Sequence, residues 1–200
     1  MQKIKFMKHL KKIFVIIAFF ILSYTSAQCI DNYESINVFL ETQKVSKEKT
    51  HILQKDKGLN NWALRIFNGG EGPDHIVDPK NPIDYTDGLF VEKHWKKMYE
   101  EYANDTIKRY WKKEDFPKYK FILEDGNGLF KHDFLVRYIG TGLHEAIIIS
   151  EPMYYMDKKY IIFYYAKVYS TGGGNYSTVI MKKENEKWIV VRVIGDYIFY

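Results

Sequence analysis

One cysteine, five prolines and thirteen glycines in 200 residues exclude a disulfide-dense, collagen-like or low-complexity protein. Cys29 has no intramolecular partner, so the core must hold the fold without crosslinks. A lone thiol also argues against an animal secreted domain and for a bacterial envelope or secreted protein. No CxxC, HxH, HExxH or HxxEH spacing occurs, so neither a metal nor another cofactor is expected. No GxSxG stands before a helix. Gly172-Gly173-Gly174 lacks the Lys-Ser/Thr and helix that a phosphate-binding loop requires, and it reads as a hairpin turn. Long apolar runs are missing too, with one exception: Ile13 to Leu22 is ten residues, half of the roughly 20 that a membrane helix needs.

That exception belongs to a pattern. Lys3, Lys5, Lys8, Lys11 and Lys12 precede the run, and Thr25-Ser26-Ala27 follows it with small residues. A basic start, a short apolar stretch and a small-x-small site predict a signal peptide over residues 1–27, cut after Ala27. A periplasmic or secreted protein with no transmembrane segment after cleavage is the expectation. Gln28 before Cys29, and Ser26 in place of the usual Leu, argue against lipidation at Cys29. The formal charge of +5 disappears with the leader, which carries five of the 30 basic residues and none of the 25 acidic ones. A neutral mature chain gives no electrostatic case for nucleic acid.

The remainder is 28–200. The chain's hydrophobic content of 46% and aromatic content of 17% exclude disorder and permit a sizeable core. Ile36, Phe39, Leu40 and Gln43 lie at helical spacing after Asn32. Residues 44–60 read as a polar connection, and Trp62–Phe67 as either strand or helix. Val91, Trp95, Met98 and Tyr102 form the clearest helical stripe, over Leu89–Tyr102, with Asp87 as a cap. A second helix is predicted over Asn104–Trp111. The period then changes to two. Strands are predicted over Tyr119–Leu123, Phe134–Ile139, Glu145–Ile149, Tyr160–Val168, Tyr176–Met181 and Trp188–Ile194. The stretch 160–168 is apolar on both faces, as a central strand requires. Turn signals at Met156-Asp157-Lys158, Gly172-Gly173-Gly174 and Glu184-Asn185-Glu186 join its neighbours. The predicted fold is one α+β domain: helices over about 32–111 packed on an antiparallel β-meander over about 119–200.

Chemistry-bearing residues concentrate in the Gly- and Pro-rich loop 68–88. Asp74, His75, Asp78, Asp84 and Asp87 could gather a cation or supply an acid–base pair, as in an envelope hydrolase. Aspartates in such loops more often make turns and caps, so the reading leans away from an enzyme. His132-Asp133 and His144-Glu145 read as surface polar residues at strand starts. The abundant tyrosines suit a sheet core, and an aromatic surface patch is the alternative. Trp188 is expected in the core, on one face with Val190 and Ile194.

The C-terminal quarter carries a pattern: Ser150-x-Pro152, Asp157-Lys158-Lys159-Tyr160, a long apolar strand, Gly172-Gly173-Gly174, then Lys187-Trp188-Ile189-Val190-Val191. Over about 147–196 this resembles uncharacterised exported proteins of Bacteroidetes-type bacteria. The resemblance implies a β-meander and maps no catalytic residue. The order of helix, then curved sheet, is also similar to NTF2-like folds, which hold small ligands. Together these readings favour a non-catalytic domain binding a small molecule, a glycan or an envelope protein.

Overall fold

The computed structural model describes residues 33–69, 86–129, 131–138, 140–170 and 172–195. Contacts divide the chain into two units, Met1–Glu34 and Ser35–Tyr200, and all that follows concerns the second. Among the described residues five α-helices and seven strands form an α+β fold around one sheet of β1 (Thr50–Gln54), β2 (Lys120–Glu124), β3 (Glu145–Ile149), β4 (Met153–Tyr155), β5 (Tyr160–Tyr169), β6 (Gly174–Glu184) and β7 (Lys187–Gly195), in the order β2-β1-β3-β5-β6-β7 with β4 also paired to β5.

The predicted meander is present. Strands β5 (Tyr160–Tyr169), β6 (Gly174–Glu184) and β7 (Lys187–Gly195) pair antiparallel in succession. The turn residues supply the conformations the links need. Asn185 and Glu186 both have positive φ, the requirement of a two-residue hairpin turn. Gly172 and Gly173 sit at φ +96° and +76°, where a Cβ would be strained.

Strand β5 is central, as its two apolar faces require. Ile162, Tyr164 and Ala166 join a core with Ala63, Leu64 and Phe67 of helix α2 (Asn60–Phe67). On the opposite face Phe163 and Tyr165 meet Phe39 of helix α1 (Glu34–Thr42), with ring centroids 5.5 and 4.9 Å apart. Burying Phe39 contributes about 2–3 kcal/mol, and each edge-to-face contact adds about 1 kcal/mol. Helix α3 (Glu92–Tyr102) buries Met98 and lays Trp95 and Tyr102 against the α2 side, as its stripe predicts. Asp87 does not cap it: Val91 is the N-cap, and Asp87 pairs with Arg192 at 2.6 Å.

Four expectations are corrected. Residues 44–60 contain a strand, β1 (Thr50–Gln54), which lies between β2 (Lys120–Glu124) and β3 (Glu145–Ile149) and runs parallel to both. The sheet is therefore mixed. Phe134–Ile139 is not a strand: after the short helix α4 (Gly126–Leu129), His132–Tyr138 forms helix α5. Phe134 and Tyr138 stand one turn apart with rings 5.1 Å apart, and Phe134 packs on Ile52 and Ala146. Asn104–Trp111 is not a helix either. The Asp105 carboxylate accepts the Ile107 amide, an Asx turn that competes with helical bonding, and Thr106 and Ile107 are β-branched. Lastly, Trp188 is half-buried and outside the core. Ile180 pairs with Arg192 while Met181 pairs with Val190, so Val191 is a bulge. The bulge reverses the alternation. Trp188 shares a face with Lys183, and Ile194 faces the α2 core with Ile180.

Candidate functional site

Three parallel strands ending on one side of an open sheet leave a crevice wherever successive connections leave in opposite directions. Strand β1 has β2 on one flank and β3 on the other, so its carboxyl end is such a place. A cleft of about 850 Å³ opens there. Lys55, Asp56 and Lys57 continue from β1, Asp125 and Gly126 from β2, and Glu151 from just beyond β3.

One wall is the segment 105–111. The Lys57 amide donates to the Arg109 carbonyl at 3.0 Å, and the Trp111 amide donates to the Lys55 carbonyl at 2.8 Å. This segment thus runs as an added, antiparallel edge beside the end of β1, through the Asp56–Tyr110 bridge. Asp105 fixes its near end. Arg109 bonds the carboxylate at 2.6 Å, and that hydrogen bond holds the carboxyl below its ordinary range.

The floor is a charged pair made where β1 and β3 diverge. The Gly58 amide donates to the Ile149 carbonyl at 2.7 Å, which carries the parallel ladder past the strand ends. Lys57 and Glu151 meet beyond it as an ion pair, their side chains 8% and 18% exposed. The ammonium also lies 4.2 Å from the centroid of the buried Trp111 ring, whose Nε1 donates to the Ile149 carbonyl. A cation over an indole face that is itself anchored is held firmly in place.

The far wall comes from the end of β2. Asp56 Oδ2 accepts the Gly126 amide at 2.7 Å, and Gln54 Nε2 donates to the Asp56 carbonyl at 2.8 Å. The turn is close at Gly126, where a Cβ would stand 3.1 Å from Gln54 Cδ and the Gln54 side chain would have to give way. Glu124 accepts Arg137 Nη1 at 2.9 and 3.0 Å and the Tyr138 hydroxyl, tying α5 to the strand. Burial first, and the bond to Glu124 next, push the Tyr138 phenol up to about 12.

Charge around the cleft is balanced, with six basic and six acidic side chains in its lining. Most are compensated locally: Lys57 by Glu151, Arg109 by Asp105, Arg137 by Glu124 and Lys55 by Asp125. The rim is apolar. Leu59, Ile107 and Tyr110 are 55%, 70% and 47% exposed.

None of this is the loop that the sequence singles out. Asp74, His75, Asp78 and Asp84 lie outside the described residues, and Asp87 is the Arg192 partner described above. Among the described residues no group of three His, Cys, Asp or Glu side chains could hold a metal ion. His144 is exposed next to the start of β3, as expected, whereas Asp133 lies in helix α5 and in the cleft lining. The sequence does contain a signal for the cleft. Asp125-Gly126-Asn127-Gly128 follows directly on the Lys120–Glu124 strand, and such turns at strand ends carry sites. Lys57, Tyr110 and Glu151 offer no comparable signal, since only the pairing of β1 brings them together. No family, curated protein or solved structure matches the chain.

Proposed function

We propose that this chain is an exported, non-catalytic domain that binds a small polar ligand in the cleft at the carboxyl ends of β1, β2 and β3. The observation that carries the reading is the cleft itself. Its roughly 850 Å³ lies within the 300–1,000 Å³ usual for small-molecule sites, at the place in an open sheet where ligands usually sit. Its walls are pinned by backbone hydrogen bonds and ion pairs, so little ordering cost remains for a ligand to offset. Export rests on the basic leader, the Ile13–Leu22 run and the small residues before Gln28. In keeping with it, no helix among the described residues is long and apolar enough to cross a membrane.

A thermal-shift screen of the chain beginning at Gln28, against sugars, amino acids, nucleotides and small organic acids, tests the binding reading. Asn127 is exposed in the cleft lining, so Asn127→Trp obstructs the space without entering the core. Ligands that raise the melting temperature of the parent are expected to lose that effect in Asn127→Trp. Shifts that persist unchanged in the variant, or a screen without any shift, contradict the reading.

A further inference from the structure

The lining of the cleft restricts what it can hold, on the premise that it is the binding site. An anion or a cation needs an excess of opposite charge, and this cleft offers none. Its strongest charges are already committed. Lys57 is turned to Glu151 and the Trp111 ring, Arg109 to Asp105, and Arg137 to Glu124. A charged ligand would compete with these partners, and leaving one member of the largely buried Lys57–Glu151 pair uncompensated costs several kcal/mol.

What such pairs do offer is an array of fixed donors and acceptors. A carboxylate has about four lone-pair sites and a guanidinium has five N–H groups, so each retains capacity after its partner is satisfied. Asn60, Asn127 and Thr106 add neutral amides and a hydroxyl to the lining. The Asn60 Oδ1 atom is buried and has no hydrogen-bond partner among the described residues, so a donor reaching it would satisfy it. Ligands bearing many neutral hydroxyls, each both donor and acceptor, suit this array.

The rim makes the second demand. Tyr110 lies with the Lys55 ammonium 5.4 Å from its ring centroid and remains about half exposed, and Ile107 and Leu59 of the same lining are more exposed still. Exposed apolar side chains at the mouth of a polar cleft need a ligand that is polar at its edge and apolar on its face. Sugar rings have that character: hydroxyls at the perimeter and C–H groups on the faces.

We infer that the cleft binds a neutral carbohydrate, with Tyr110, Ile107 and Leu59 as the platform and the paired charges below reading its hydroxyls. Titration calorimetry with maltohexaose, cellohexaose, xylohexaose and chitohexaose, beside inorganic phosphate and a neutral tetrapeptide, tests it. At least one hexasaccharide is expected to bind, with an affinity that barely changes between low and high salt. Tyr110→Ala should weaken it about tenfold and Ile107→Ser by less, while Tyr99→Ala, an exposed aromatic on α3, should leave it unchanged. The melting temperature of each variant separates lost contact from lost fold. Binding of phosphate or the tetrapeptide, abolished by Asn127→Trp and with no hexasaccharide bound, overturns the carbohydrate assignment and leaves the cleft as a site. Hexasaccharide binding indifferent to Tyr110→Ala and Asn127→Trp also overturns it. If no probe binds in a way that depends on Asn127, the carbohydrate assignment and the reading of the cleft fall together.

Discussion

At the scale of single residues, Trp188 shows how one bulge changes the worth of a side chain. In a core position Trp→Ala costs about 3–5 kcal/mol. Here the ring is half-buried beside Lys183, whose ammonium lies 5.9 Å from its centroid, and Nε1 is buried with no hydrogen-bond partner among the described residues. The area that remains covered is worth about 1–2 kcal/mol, so Trp188→Ala should still fold with a loss of that size. Trp188→Phe removes a buried donor that gains nothing in the folded state, and its stability should stay within about 1 kcal/mol of the parent. Urea unfolding of both variants checks this. A loss above 3 kcal/mol for Trp188→Ala would restore the ring to the core. The sequence could not show the difference, because Trp-Ile-Val-Val-Arg-Val-Ile alternates equally well in either register. Only the bulge at Val191, between the pairs Ile180–Arg192 and Met181–Val190, decides it.

Elements were legible in proportion to their periodicity. The stripe of α3 and the two apolar faces of β5 specify their own packing, because few other placements bury so many rings. Phe134-Leu135-Val136-Arg137-Tyr138 reads as a strand, but so short a stretch with four apolar residues satisfies either period; packing of Phe134 on Ile52 selected the helix. Strand β1 was hidden for another reason: Thr50-His51-Ile52-Leu53-Gln54 is short and set among lysines, and its strand character comes from the neighbours on either flank. The Ser150-Glu151-Pro152 pattern proves to be the break between β3 and β4 (Met153–Tyr155), two segments that pair with the same strand β5. Ser150 makes the break tolerable. Its buried Oγ accepts the Tyr164 amide at 2.9 Å and donates to the Glu151 carbonyl at 3.1 Å, while its own amide donates to the Tyr164 carbonyl at 3.0 Å. Ser150→Ala should therefore cost about 1–3 kcal/mol, the net worth of the two hydrogen bonds that its buried hydroxyl makes. Ser177→Ala, which removes a donor to the Tyr165 carbonyl at a partly buried position, should cost about 1 kcal/mol or less. Equal losses in chemical denaturation would show that the break does not depend on Ser150.

At the scale of the whole molecule, the candidate site is a consequence of topology. A meander alone would have had no switch point; inserting β1 in parallel between β2 and β3 creates one and gathers Asp56, Lys57, Tyr110, Gly126 and Glu151 from distant parts of the chain. The loop aspartates stood out in the sequence because they are close together there. The cleft did not, because its members are brought together only by strand pairing. The most direct test of this account is an amide chemical-shift map of the isotope-labelled chain, titrated with whichever hexasaccharide binds. The account predicts that the largest changes fall on 54–58, 105–111 and 125–128, with β6 and β7 unmoved. Changes centred on β7 or the exposed face of α3, with those three segments silent, would contradict it.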